Sequence, residues 1–530
     1  MKKSPALLLV LVALLFGISL PAQEAVDQDV VDVIRKHGLD ESQVMDIAHM
    51  ITDVHGPRLT GSPGLDRATE WAVETLKDMG MANVHLEEWG PFGRGWELEH
   101  FSMEASSPVS FPVLGYPKAW SPASGQVSGE VIYLQADQIE DLEQYRGKLG
   151  GKFVLIDTIR DVKQPFDANG FRHDAESLLD LANAPMPVPR PRRNFRRLGG
   201  FTFNQALWQM LTEEKPIAVL DRSYKGDFGT VFVSGARTNK GRPYMEDTEV
   251  VPQVTLAIEQ YNRILRLAQD GMPVTLRMDL QARYTNPDGM EHNIIAEIPG
   301  TDLKDEVVMF GAHFDSWHAA TGATDNGAGS SVMMEVARIL LETIKETGER
   351  PRRTLRIALW TGEEQGLFGS RAYAKDHFAE FPPDSYTPQS LKPEQAKISA
   401  YYNLDNGTGR IRGVYLQGNA SVAPIFRAWL EPFKDLDAGT VSLSNTGGTD
   451  HLAFDAVGIP GFQFIQDPMA YFARTHHSNM DNWDQLSGDD LSQAATIIAS
   501  FVWHTAQRDE MLPRKSLDLY KEKPEASGQN

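Results

Sequence analysis

From about residue 256 onward, short apolar runs alternate with stretches of helical periodicity. The apolar runs predicted as buried strands are residues 294–298, 307–310, 355–360, 398–404 and 461–465. Between the second and third of these, residues 330–344 place Val332, Val336 and Ile339 at helical spacing. Short buried strands separated by helices predict an α/β fold with a mainly parallel, mixed sheet sandwiched by helices.

Composition limits the chemistry that the chain can use. The 530 residues include 14 histidines and no cysteine, and the formal net charge is −21. Without cysteine there are no disulfides, no thiolate nucleophile and no Cys-based zinc site, so a metal must be held by His, Asp and Glu. The acidic surplus repels phosphate backbones, so we expect no nucleic-acid partner.

The N-terminus has the pattern of a signal peptide, which we place at residues 1–23. Lys2 and Lys3 precede an apolar run over residues 6–20, and small residues follow it. The run is shorter than the roughly 20 residues that span a bilayer, which disfavours the alternative of a membrane anchor. We therefore expect an exported protein, periplasmic or secreted, with no membrane contact after cleavage.

The remaining chain is predicted to form two domains and a tail. Residues 24–122 and 256–515 form one discontinuous α/β domain, residues 123–255 form a β-rich insertion, and residues 516–530 form a flexible tail. The insertion carries a Pro- and Arg-rich segment over residues 185–197. We interpret this segment as a solvated loop rather than a ligand-binding basic patch.

Metal-competent side chains follow three successive predicted strands. They are His313 and Asp315, then Glu363 and Glu364, then Asp405. Each alone has a commoner structural explanation, but ligands of open α/β sheets bind beyond the carboxyl ends of the strands. Asp325 opens the helix after the first strand, and its short side chain suits a bridge between two ions roughly 3.5–4 Å apart. The sequence therefore predicts a metal site at this sheet edge.

Several motifs together resemble the co-catalytic zinc exopeptidases. This family includes secreted bacterial aminopeptidases and plasma glutamate carboxypeptidases, also called the carboxypeptidase Q type, and the likeness is greatest to the latter. The motifs are His313-Phe314-Asp315, Asp325 to Gly329, Leu359 to Gly366, Gly448-Thr449-Asp450, His476-His477-Ser478 with Asp481, and Glu510 to Arg514. The likeness extends over roughly residues 30–515.

The resemblance implies two zinc ions per chain and assigns their ligands. His313 and Asp405 would hold one ion, Glu364 and His477 the other, and Asp325 would bridge them. The last ligand of the family lies in a His-Ser/Thr-x-x-acid pattern, which His477 fits, and His476 stays the alternative.

The resemblance also assigns roles to two carboxylates outside the ligand set. Glu363 would be the general base and later the general acid, and Asp315 would orient His313. Asp450 and His451 either line the substrate pocket or cap a helix over residues 451–457.

The activity implied by the resemblance is hydrolysis of small peptides by a carboxypeptidase or dipeptidase, with an aminopeptidase as the alternative. Peptide substrates are the expected partners, and a homodimer is left open. Residues 123–255 would be a diverged protease-associated domain. Two further hypotheses are a binding module without metals and a single-zinc transferase of the glutaminyl cyclase type. The presence of every expected ligand type argues against the binding module.

Overall fold

The computed structural model describes residues 24–188, 200–383 and 385–519. The predicted signal peptide, residues 189–197 of the Pro/Arg segment and residues 520–530 of the predicted tail lie outside the described residues. Within those ranges, no helix combines the length and the apolar character that crossing a membrane requires.

Strands and helices alternate along most of the described chain. The strands are β1 (Ala82–Trp89), β2 (Gly95–Ser107), β3 (Phe111–Pro112), β4 (Gly115–Pro117), β5 (Gly125–Tyr133), β6 (Phe153–Leu155), β7 (Ala218–Arg222), β8 (Gln253–Leu256), β9 (Thr275–Thr285), β10 (Glu291–Ile298), β11 (Leu303–His313), β12 (Arg353–Trp360), β13 (Ala379–Glu380), β14 (Ser390–Leu391), β15 (Ile398–Asn403), β16 (Ile411–Tyr415), β17 (Thr440–Ser442) and β18 (Gly461–Gln466). The α-helices are α1 (Gln28–Arg35), α2 (Val44–His49), α3 (Pro63–Asp78), α4 (Ile139–Leu142), α5 (Ala175–Ala182), α6 (Gly200–Glu214), α7 (Ile258–Gln269), α8 (Ala328–Thr347), α9 (Phe368–His377), α10 (Ala423–Leu430), α11 (His451–Asp455) and α12 (Gly488–Gln507).

The first sheet is mixed and mainly parallel. Its strand order is β1-β10-β12-β11-β15-β18-β16-β17. The neighbours β12 and β11, β11 and β15, β15 and β18, and β16 and β17 are parallel, whereas the other three pairs are antiparallel. This arrangement confirms the predicted fold class and the strands on which it depended.

Helices cover both faces of the first sheet. On one face, α1, α2, α3, α8 and α12 share a hydrophobic core with strand residues such as Val308 and Phe310. On the other face, α9 and α11 pack around Met309 and Trp360. Val332, Val336 and Ile339 of α8 are fully buried, and burial of such side chains contributes about 1.5–3 kcal/mol each. The residues at helical spacing in the sequence therefore form the packing face of α8.

Local sequence signals mark both ends of α3. The Ser62 hydroxyl accepts a hydrogen bond from the backbone N–H of Leu65, and Pro63 is the first helical residue. Gly80, with φ of +96°, follows the helix end, where a left-handed backbone suits glycine.

The second sheet has the strand order β3-β2-β9-β5-β6-β7-β8-β4. Its strands β5 to β7 lie within residues 123–255, and β8 ends one residue beyond that range. The strands β2, β3, β4 and β9 come from the chain on either side of it. Residues of α7 and α6 pack on opposite faces, because Phe153 and Leu155 contact the core that includes α7 while Val154 contacts the core that includes α6. The insertion boundaries at 123 and 255 stay a prediction.

Candidate metal centre

Three adjacent parallel strands end at one edge of the first sheet. The parallel register pairs His313 with Trp360 and Gly311 with Asn403, so β11, β12 and β15 end side by side. His313 is the last residue of β11, and the turns after these strands carry Asp315, Glu363, Glu364 and Asp405. The sheet therefore brings all five predicted side chains to the same edge.

Two further predicted residues reach this edge from irregular segments. Asp325 lies in the turn Ala323–Gly327 between β11 and α8, and its backbone angles are not helical. His477 lies in the loop between β18 and α12. Neither position is fixed by a strand end, so local contacts must hold both.

The ligand atoms of the five predicted metal-binding residues form two adjacent groups. In the first, His313 Nε2 is 3.4 Å from Asp325 Oδ1 and 3.5 Å from Asp405 Oδ1. In the second, His477 Nε2 is 3.2 Å from Asp325 Oδ2 and 3.0 Å from Glu364 Oε2. The two oxygens of Asp325 thus face two different imidazoles.

The chemistry of these residues fits zinc. Asp325 Oδ2 and Glu364 Oε1 are buried and have no hydrogen-bond partner among the described residues. Buried carboxylates that lack such partners are ordinarily paired with charge or coordinate a metal. Imidazole nitrogen and carboxylate oxygen are the ligands that zinc takes where no thiolate is present. His313, Asp325 and Asp405 also lie close enough together to hold one ion.

In the second group, the buried carboxylates and the imidazole shift the pKa values of one another. Burial raises the pKa of Glu364 to about 7, with the nearby Asp325 carboxylate adding to the effect. Burial would lower the pKa of His477, but Glu364 and Asp325 outweigh it and raise the pKa to about 10. In the metal-free protein this imidazole is therefore a cation among carboxylates. A metal ion bound by this imidazole would displace its proton, so metal binding would release protons.

Glu363 lies beside the two groups without joining either. Its Oε2 atom is 4.0 Å from His313 Nε2, and the residue is buried. Burial, with Asp405 and Asp450 adding to it, holds the pKa of Glu363 well above its usual value. A buried carboxyl with a raised pKa that faces a cluster of metal ligands suits proton transfer.

Asp315 makes contacts that the sequence did not predict. Nδ1 of His313 is hydrogen-bonded to the backbone carbonyl of Asp315 at 3.0 Å, while the Asp315 carboxylate lies 3.6 Å away. That carboxylate accepts hydrogen bonds from the backbone N–H groups of Glu363 at 3.2 Å and Glu364 at 3.3 Å, and from the Thr60 hydroxyl at 3.0 Å. Asp315 therefore positions the two glutamates as well as the histidine.

Asp481 was known from the sequence only as a motif position. Its carboxylate accepts hydrogen bonds from the backbone N–H groups of Thr324 at 2.6 Å and Asp325 at 3.1 Å. It thereby fixes the irregular turn that carries Asp325.

Arg58 is a supporting residue that the sequence analysis missed. Its guanidinium is fully buried and donates hydrogen bonds to the backbone carbonyls of Phe314, Ile51, Thr321 and Gly322, at 2.7 to 3.0 Å. Burial lowers its pKa to about 10, although acidic groups of the centre oppose that shift. The only sign of it in the sequence is the Gly- and Pro-containing run of residues 56–62, in which Arg58 lies.

His476 and His477 occupy different positions. The two rings stack with centroids 3.7 Å apart, and His476 Nε2 is 3.9 Å from Asp325 Oδ2. Only His477 also approaches Glu364. The geometry therefore favours His477 as the ligand, as the sequence pattern does.

Asp450 and His451 are both buried next to the centre. Asp450 precedes α11, which ends at Asp455, but its side chain makes no capping hydrogen bond. Neither carboxylate oxygen has a partner among the described residues, and burial raises the pKa of Asp450 to about 7. His451 Nε2 contacts the Gln417 amide at 2.7 Å. These contacts do not support the helix-cap interpretation.

The chain is similar to known peptidases. Residues 293–502 match the model of peptidase family M28. The chain is 25% identical to carboxypeptidase Q of Mus musculus over 472 residues, which is 88% of this chain and 86% of that protein. It is 28% identical to carboxypeptidase Q of Xenopus laevis over 482 residues, 90% of this chain and 89% of that protein.

Solved structures share the fold. A peptidase M28 precursor from Shewanella amazonensis SB2B superposes with a TM-score of 0.64 at 24% identity, covering 93% of this chain and 99% of that one. BSAP, a zinc aminopeptidase from Bacillus subtilis, superposes with a TM-score of 0.55 at 18% identity, covering 88% and 95%. Both correspondences extend over nearly the whole of the solved chain.

Proposed function

We propose that this metallopeptidase, whose residues 293–502 match the model of peptidase family M28, hydrolyses small peptides with the help of two zinc ions. The observation that carries the proposal is the placement of Asp325. One of its carboxylate oxygens faces His313 and the other faces His477. A single carboxylate between two imidazoles suits a pair of closely spaced ions.

Each proposed zinc position has its own ligands besides Asp325. His313 and Asp405 would hold one ion, and Glu364 and His477 would hold the other. Support comes from the distances of 3.0 to 3.5 Å that join each imidazole to its carboxylates. Three carboxylates offset the charge of a cation pair better than the two imidazoles alone would.

Glu363 is the proposed proton carrier. When bound, zinc would polarise the scissile carbonyl and would lower the pKa of water towards about 7. Glu363 accepts a proton from the attacking water as the new C–O bond forms. It then donates that proton to the amine nitrogen as the C–N bond breaks. Hydrogen bonds from the backbone of Glu363 and Glu364 to Asp315 keep the base beside the ligands.

The proposed substrate class is small peptides cleaved by a carboxypeptidase or dipeptidase. The carboxypeptidase Q relatives, which align with 88–90% of this chain, support this class. The alternative is an aminopeptidase, because BSAP shares the fold.

Two measurements test the proposal. Mass spectrometry of the purified chain should find two zinc ions, and chelation should abolish hydrolysis, with activity restored by added zinc. A metal-free chain would instead support a binding module, and a single essential zinc would support the transferase hypothesis.

Free dipeptides, N-blocked peptides and C-blocked peptides then separate the carboxypeptidase or dipeptidase from the aminopeptidase. Cleavage of N-blocked but not C-blocked peptides supports the carboxypeptidase, and the reverse supports the aminopeptidase.

We also propose that the protein is exported, to the periplasm or outside the cell. The support is the pattern of Lys2, Lys3 and the apolar residues 6–20. Sequencing the N-terminus of the protein from fractionated cells should find a start near residue 24. A cytoplasmic product that retains Met1 would contradict export.

A further inference from the structure

We propose that residues 229–233 hold the loop of His477 in its metal-binding position, and that Asn479 is the positioning residue that joins the two segments. Residues 229–233 lie within the predicted insertion, so this inference makes the insertion part of the zinc site. It rests on the proposed function, because it takes His477 as a zinc ligand.

The two segments pair through their backbones. The N–H of Val233 donates to the carbonyl of His477 at 3.0 Å, and the N–H of Asn479 donates to the carbonyl of Val231 at 3.1 Å. Phe232 and Ser478 face each other between these bonds in an antiparallel bridge. The backbone on both sides of Ser478 is therefore fixed by the insertion.

The side chain of Asn479 adds two hydrogen bonds to the same segment. Its Oδ1 atom accepts from the N–H of Val231 at 2.7 Å, and its Nδ2 atom donates to the carbonyl of Gly229 at 3.1 Å. One amide thus uses its acceptor and a donor on two residues of the opposite segment. Among uncharged side chains, only Asn and Gln carry both groups in this geometry.

His477 needs support through its backbone because few contacts hold its imidazole ring in place. Metal-binding histidines almost always use their second ring nitrogen in a hydrogen bond, as His313 does with the backbone carbonyl of Asp315 at 3.0 Å. Within the described residues, Nδ1 of His477 makes no hydrogen bond. The backbone of His477 also has φ of +62°, a conformation that non-glycine residues adopt only where their surroundings hold it. The position of this ring therefore depends on the backbone pairing and on packing against Trp317 and His476.

The insertion contacts the same loop at two earlier points. Phe171 and Met469 exchange backbone hydrogen bonds of 3.1 and 2.9 Å. Nζ of Lys225 donates to the carbonyl of Phe472 at 2.5 Å. Residues of the insertion thus hold the loop before, at and after the histidine pair. By contrast, His313 ends β11 and Asp405 lies just after β15, so strands of the first sheet place both residues.

The test compares zinc affinity between variants of the full chain. In Asn479→Ala, competition with a chelator should show one of the two zinc ions bound about 10–100-fold more weakly, as is typical when a partner of a ligand is removed. The other ion should keep its affinity. Replacement by cobalt should show an altered absorption spectrum for the weakened position alone.

Asn262→Ala is the matched control. The Asn262 amide likewise accepts from the N–H of Arg160 and donates to its carbonyl, at 3.3 and 2.7 Å, within the second-sheet region. Both variants lose two hydrogen bonds, so the metal-free proteins should unfold at similarly reduced temperatures. Only Asn479→Ala should weaken zinc binding.

Three results would decide against the inference or against its premise. Unchanged affinity for both ions in Asn479→Ala overturns the positioning role, and so does an equal loss of zinc in Asn262→Ala. An unaltered chain that binds a single zinc refutes the two-zinc function instead. The positioning role then stands only if Asn479→Ala weakens that one ion.

Discussion

The carboxylate of Asp481 accepts a hydrogen bond from the backbone N–H of Asp325 at 3.1 Å. The same carboxylate accepts a second bond from the N–H of Thr324 at 2.6 Å. One side chain from the loop before α12 therefore fixes two consecutive amides of the turn that carries the proposed bridging ligand. The proposed metal centre thus depends on residues that contact no metal.

Asp481→Ala should weaken zinc binding by about 10–100-fold, because Asp325 loses the hydrogen bonds that orient its backbone. Zinc content after dialysis against a weak chelator measures the effect. Asp484→Ala is the control, since Asp484 lies three residues further along the chain and is exposed. Full zinc retention in Asp481→Ala would contradict the supporting role.

Glu363→Gln should lower kcat by about 100- to 10,000-fold while two zinc ions remain bound, because the amide cannot carry the proton. Steady-state kinetics and metal analysis of the same preparation check both parts. Glu380→Gln, at an exposed position of β13, should retain full activity. Loss of zinc together with activity would show that Glu363 is a ligand rather than the base.

His477→Ala and His476→Ala should differ in zinc content. His477 approaches both Asp325 and Glu364, so its removal should leave one zinc per chain. His476 is 3.9 Å from Asp325 and has no second carboxylate among the described contacts, so its removal should leave two. The opposite pattern would reassign the ligand to His476.

His377 should make stability depend on pH at a site remote from the metal ligands. Burial lowers its pKa, but hydrogen bonds to Glu394 and Glu87 outweigh burial and raise the pKa to about 9. An unfolded histidine has a pKa of about 6.5, so above that pH the unfolded chain loses this proton while the folded chain keeps it. The contribution of protonated His377 to the free energy of unfolding is complete below about pH 6.5 and is lost as pH rises through about 9. It changes by at most about 1.4 kcal/mol per pH unit.

Urea unfolding of His377→Gln and the unaltered chain at pH 6, 8 and 10 measures that contribution. The free energies of unfolding should differ most at pH 6 and converge towards pH 10. His100→Gln, at an exposed position, serves as the control. A difference between His377→Gln and the unaltered chain that does not change with pH would refute the charge-based origin.

Local patterns in the sequence determined the fold class and one edge of the site. Alternating apolar strands and amphipathic helices predict a mainly parallel sheet, and parallel strands end on the same side. His313 ends a strand, and Glu363, Glu364 and Asp405 lie in the turns after strand ends, so their meeting place could be deduced from the order of elements. Signals such as Ser62 and Pro63 at the start of α3 are likewise local, since a helix end satisfies its own neighbours.

Family resemblance rather than local pattern led to His477. It lies in a loop with no strand or helix to set its direction, and a histidine motif does not specify where such a loop folds. Its backbone is held instead by Val233, a residue far away in the chain.

Only the tertiary structure decided which groups support the site. The Asp315 carboxylate reaches the backbone of the two glutamates, Arg58 reaches four carbonyls, and Asn479 reaches Gly229 and Val231. Apart from the contact of Arg58 with Ile51, each contact joins segments that are distant in sequence, and all of them use backbone groups. Residue types and their spacing therefore identify the groups that can bind a metal, whereas the groups that hold them in place follow from how the loops pack together.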